Sequence, residues 1–268
     1  MRDVSRPLPF GQAARAVFDL SLDGMVFSRR SLLMALLVAA PVLFSVLYRV
    51  LAVSRGTPPI GPSDLYALVV AVYWIRNVLP LAALFYATSL VADEVEGRTL
   101  TYLLTRPLTR GAIFAGKFAA YAATTLTLAL PAAVLSFFIL FTAPNAPALG
   151  PAAADLLRDL GVMLLTLVAY GALFGLLGVL LKRPVIPGLV FLYGWELLAN
   201  LPGYLPRFTL TAWLRSLIRH RPAEEGLSGL FQQVLPADQA LVVLVMATAV
   251  LLLASVWIFS RREYVLDQ

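Results

Sequence analysis

The polar positions of this chain are clustered, and between the clusters lie apolar, almost uncharged runs of about twenty residues, the length a helix needs to cross about 30 Å of hydrocarbon. Six such runs are present. The first, Ser31 to Val53, follows Arg29 and Arg30, and its 23 residues exceed the core of a signal peptide. The second ends at Ala92, before Asp93 and Glu94, and starts anywhere between Leu65 and Asn77 because Arg76 interrupts the pattern. The third runs from near Ala112 to near Thr142, the fourth from Leu160 to Leu181, the fifth from Val185 to about Leu201 and the sixth from Gln239 to Ser260, closed by Arg261 and Arg262. The pattern predicts an all-α polytopic membrane protein, with a transmembrane domain over residues 31–260 and a short tail at 261–268.

Two further segments repeat at helical spacing without being apolar all round. Phe10, Ala14, Val17, Phe18, Leu22 and Met25 form a stripe within residues 1–30, with Gln12, Arg15 and Asp19 on other faces. In the segment 202–238, Leu210, Trp213, Leu214, Leu217 and Ile218 form a second stripe, opposite Arg215 and Arg219. The first predicts a helix along the cytoplasmic interface, the second one at the outer interface. A helix packed on the ends of the bundle satisfies either pattern equally, because amphipathicity does not name the apolar partner.

Composition narrows the class. The 268 residues carry 21 Lys plus Arg and 15 Asp plus Glu, 13% charged against 60% hydrophobic, whereas soluble domains carry about 25% charge. Zero cysteines remove disulfides, thiolate metal sites and cysteine nucleophiles, and the lone His220 removes multi-histidine metal clusters. The net charge of +6 is explained by topology rather than by nucleic acid. With the N-terminus inside, Arg2, Arg6, Arg15, Arg29, Arg30, Arg98, Arg106, Arg110, Lys117, Lys182, Arg183, Arg261 and Arg262 face the cytoplasm, 13 of the 21 cations. Both termini are therefore expected in the cytoplasm, in a plasma (inner) membrane protein.

The loop between the second and third runs, residues 93–117, is dense in signals. Leu100, Leu103 and Leu104 make a short apolar stripe, Pro107 marks a stop, and the carboxylates lie upstream, near the positive end of such a helix. A helix that shows leucines to the cytosol needs a partner, unless the loop folds back on its own bundle.

This loop resembles that of the permease subunits of ABC transporters of the type-2 exporter class. The resemblance is carried by Glu94, Glu96, Gly97, Thr99, Leu100, Leu103, Leu104, Pro107, Arg110 and Lys117, with Arg98 inserted where many relatives place glycine directly before threonine. It implies a six-span subunit that is not itself an enzyme. The resemblance further implies a separate ATPase subunit that docks on the loop and carries ATP and Mg, and a second permease copy or paralogue. No G-x-x-x-x-G-K-[ST] phosphate loop occurs in the chain, so no cofactor is expected on it. The substrate is not implied.

Charges within the apolar runs are the remaining candidates. Arg49 reaches the outer headgroups by snorkelling. Glu196 lies 12 residues after Pro184, about 18 Å into the slab, where a carboxylate is costly unless paired, protonated or wet. A pair with Arg76, whose depth differs by about 8 Å, would relieve that cost, and either a latch or a pathway role follows. Gly171, Gly175 and Gly178 permit close approach of the fourth run to a neighbour, within the chain or in a second copy. The rival functions are an ion-coupled transporter or channel and a membrane scaffold. An intramembrane hydrolase lacks its nucleophile, dyad or metal cluster.

Overall fold

Each uncharged run is helical, because in hydrocarbon a helix satisfies every backbone N–H and C=O within the segment. A computed structural model describes residues 9–26, 28–55, 60–91, 109–144, 146–201, 203–219 and 236–262. The leucine stripe at Leu100 to Leu104, with Glu94, Glu96, Gly97, Thr99 and Pro107, lies outside the described residues, as does His220.

Helix α1 (Phe10–Val26) is followed by α2 (Arg29–Arg55). The second run is one continuous passage, Pro62–Val91, in three parts: α3 (Pro62–Leu68), a π-helical stretch (Val69–Val78) and α4 (Leu79–Ala87). The π stretch contains Arg76 and coincides with the irregularity in the pattern, and the Asn77 side chain there donates to the Val72 carbonyl at 2.7 Å. Helices α5 (Arg110–Phe141) and α6 (Leu149–Leu180) each have 32 residues. At about 48 Å they overrun the bilayer core. α6 starts eleven residues before the expected span at Leu160, so it carries Asp155, Arg158 and Asp159 on its first turns.

The fifth run is short. α7 (Val185–Tyr193) gives way at Gly194 to a 3₁₀ turn (Trp195–Asn200), and a second 3₁₀ turn (Leu205–Phe208) leads into α8 (Leu210–Leu217). Gly203 between them has φ +92°, a left-handed conformation that reverses the chain at no steric cost only in glycine. The last helix is α9 (Ala237–Arg261). Five helices among the described residues are long and apolar enough to cross a membrane, while Val185–Asn200 is a shorter apolar helix.

The core lies where the Pro62–Val91 passage, α5 and α6 meet. Trp74, Tyr121, Tyr170, Phe114, Phe137 and Phe174 are fully buried there. α4 and α9 pack on α6, and both α1 and α2 pack on α5. The two amphipathic segments thus join the bundle. Ala13 and Val17 of α1 are buried, as are Leu214 and Leu217 of α8 and the adjacent Ile218, while α8 lies on α9 and α6. α2 and α9 are peripheral and expose long apolar faces, Leu32, Leu36, Leu43 and Leu47 on one and Val242, Met246, Val250 and Leu253 on the other.

The small residues of α6 face helices of their own chain. Gly171 lies against the Tyr121 ring and Gly175 against Phe114, both on α5, and Gly178 lies against the Thr88 backbone. Gly116 of α5 faces the Ala14 carbonyl of α1 in the same way. Arg49 is exposed, and it donates to the Thr142 hydroxyl of the same chain.

Candidate functional site

Two of the residues expected to contact an ATPase, Arg110 and Lys117, are described, and they stand seven residues apart on one face of α5. Lys117 is buried, and its ammonium donates to the Leu90 carbonyl at 2.8 Å. Leu90 lies three residues beyond the end of α4, in the Pro62–Val91 passage. The lysine therefore gives a charge-assisted bond to a backbone carbonyl of that passage. It pins α5 to the Pro62–Val91 passage. Replacing Lys117 by methionine, which keeps the stem and removes the donors, is expected to cost about 1.5–3 kcal/mol, the usual worth of a charged hydrogen bond. A thermal midpoint unchanged from wild type in detergent would refute this.

Arg110 caps a helix end. Its guanidinium donates to the carbonyls of Ser260 at 3.3 Å and Arg262 at 2.9 Å, at the C-terminus of α9. Arg262 in turn donates to the Leu180 carbonyl at 2.9 Å and to that of Val179, at the C-terminus of α6. The C-termini of α9 and α6 are thus each capped by a cation from a neighbour, near the first turns of α5.

The opposite end of the bundle holds Glu196, which is buried. Its expected partner was Arg76, and the structure places no ion pair between them. Both carboxylate oxygens accept from the N-terminus of α8 instead, from Leu210 N at 3.2 Å and Thr211 N at 3.0 Å, while the Thr209 hydroxyl accepts from Ala212 N at 3.3 Å. Backbone donors satisfied the carboxylate because the chain reverses at Gly203 and brings α8 back against the 3₁₀ turn. The far end of α8 is held by Arg158, whose Nε donates to the Leu217 carbonyl at 3.0 Å. Tyr170 of α6 bonds the Thr211 hydroxyl at 2.9 Å.

Asp159 escaped the sequence reading. It is fully buried in α6, within electrostatic reach of Tyr66. An uncharged-run criterion stops at Leu160 and so cuts it off, although the helix continues back to Leu149. The signal that would have found it is the i, i+4 continuation of apolar Leu156, Leu160 and Leu164 through the charged turn. No group of three or more potential metal ligands occurs among the described residues.

A family model described as ABC-2 family transporter protein matches residues 28–194, more than half of the chain. The chain belongs to the ABC-2 transporter family. A search of curated proteins returned no match. As an ABC-2 permease it is a multi-pass membrane protein, a transport subunit of an ABC transporter. The match extends from the start of α2 to the end of α7, so it includes residues 93–117, the Pro62–Val91 passage and the capped end of α6. In an ABC-2 permease, the assembly around Lys117, Arg110 and Arg262 is the part of the bundle nearest the loop that carries the resemblance.

Proposed function

We propose that this permease forms the membrane path of an ATP-driven exporter and takes its motion from a separate ATPase subunit docked on residues 93–117. The observation that carries the reading is that α5, the helix following those residues, holds the Leu90 carbonyl through Lys117 and caps α9 through Arg110, while Arg262 caps α6. Binding ATP and Mg on that partner, and a second permease copy or paralogue beside this one, complete the transporter. The cation distribution supports cytoplasmic termini in a plasma membrane. In this reading Val185–Asn200 makes the sixth passage, and the segment 202–238 returns into or along the outer leaflet.

The leucines of the loop would fill a groove on the ATPase, where loss of one buried leucine contact costs a few kcal/mol, whereas loss from a solvated helix costs little. Replacing Leu103 and Leu104 together by serine is expected to abolish ATPase co-purification and transport while the subunit alone inserts and keeps its thermal midpoint. Glu94→Gln and Glu96→Gln are expected to weaken the contact less, because exposed ion pairs contribute only about 0–1 kcal/mol. Normal transport by the double serine variant overturns the docking role. Failure of that variant to insert assigns the leucines to the subunit's own core.

A further inference from the structure

Among the described residues, cations gather at the bundle end where α5 starts. Arg110 binds the end of α9, Arg262 binds the end of α6, Lys182 and Arg183 follow α6, and Arg261 precedes Arg262. Asp64, Asp155, Asp159, Glu196 and Asp238 lie toward the opposite end, whereas Asp19 and Asp23 lie on α1, which packs on α5. Arg110 and Arg262 spend donors on carbonyls. Arg261 does not: its guanidinium lies 4.6 Å over the exposed Trp257 ring, an arrangement that holds the cation while leaving its N–H edges free. Lys182 and Arg183 are exposed.

Beside Arg261 and Trp257 an open groove of about 570 Å³ runs along one face of α9, lined by Leu253, Ala254, Val256, Trp257, Ser260 and Arg261. Its polarity is graded along the helix axis. Leu253 and Ala254 lie toward the membrane interior, the indole of Trp257 lies one turn further out, and Ser260 and Arg261 form the rim. An indole at that level suits the water interface of a bilayer. A ligand that fits the gradient carries an acyl chain, a polar junction and an anionic head, in that order.

We propose that this groove binds an anionic phospholipid, with its phosphate on Arg261, its glycerol region against Trp257 and an acyl chain along Leu253. The planar guanidinium offers two parallel N–H donors to phosphate, and Lys182 and Arg183 add the charge that favours an anionic over a zwitterionic headgroup. The proposal rests on the bilayer reading of the family and not on the ATPase partner.

The test uses the full chain in discs of phosphatidylcholine doped, at matched mole fraction, with either brominated phosphatidylglycerol or brominated phosphatidylcholine. Bromine quenches tryptophan at contact, and the component lost on Trp257→Phe isolates the groove from Trp74, Trp195 and Trp213. Quenching of that component by the glycerol lipid is expected at several-fold lower mole fraction, with the preference falling about fivefold for each cation removed in Arg261→Gln, Lys182→Gln and Arg183→Gln. Arg261→Lys is expected to keep part of it. Equal quenching by both lipids overturns the proposal and makes this face ordinary annular contact. Absence of quenching by either, with cross-linked dimers lost on Trp257→Ala, overturns it in favour of a second copy. An unchanged preference in the Arg261→Gln variant combined with lost ATPase co-purification overturns it in favour of the ATPase subunit.

Discussion

A Gly178→Ala substitution is expected to lower the thermal midpoint of the purified subunit sharply and to impair transport, whereas Gly161→Ala on the same helix is expected to be neutral or slightly stabilising. At Gly178 the three nearest atoms to an added methyl would all belong to the Thr88 backbone, closer than side chains tolerate. Backbone cannot rotate away as a side-chain tip can, so α4 and α6 must separate at the end where Lys117 binds the Leu90 carbonyl and Arg262 caps α6. Overpacking of this kind costs about 1–3 kcal/mol and sometimes more. At Gly161 a methyl would meet nothing, and only the helix propensity changes, by about 0.5–1 kcal/mol in favour of alanine. Midpoints by differential scanning fluorimetry decide the matter: equal effects at the two sites would mean that the contact between α4 and α6 does not hold this end together.

The second large effect is expected at Glu196. Alanine there strips the acceptors from the Leu210 and Thr211 amides, the Thr211 bond being buried and the Leu210 bond half-buried. An unsatisfied buried donor costs about 1–3 kcal/mol, and two amides lose their partner together. Glu196→Gln keeps one acceptor oxygen and is expected to fall between alanine and wild type. The damage is local, because Arg158 and Tyr170 still hold α8 on α6. Hydrogen exchange is therefore the sensitive readout: faster exchange across Leu210–Leu217 in the alanine variant, with α4 to α6 unchanged. Exchange at wild-type rates in that segment would show that the carboxylate is not what holds the N-terminus of α8.

Both positions show the limit of a one-dimensional reading. The sequence named Gly178 as a site of close approach but not the helix approached, since small residues license contact with any neighbour. It named Glu196 as a costly charge and looked for a cation, since charge is written in the sequence and backbone amides are not. The donor set that satisfied it was created by a chain reversal, and only the fold shows where that reversal aims.

The sequence by itself determined that the chain is helical and membrane-spanning, because apolar length against hydrocarbon thickness decides this residue by residue. It also marked both amphipathic segments and the loop whose residues carry the family resemblance. The tertiary structure alone decided what those segments touch. Their apolar stripes meet α5, α6 and α9, Asp159 is drawn inside by an extension of α6, Arg110 and Arg262 cap two helix ends, and Lys117 binds the Leu90 carbonyl. The physical reason is that helix formation in a bilayer is local, whereas capping, close approach and burial of charge depend on which helices become neighbours.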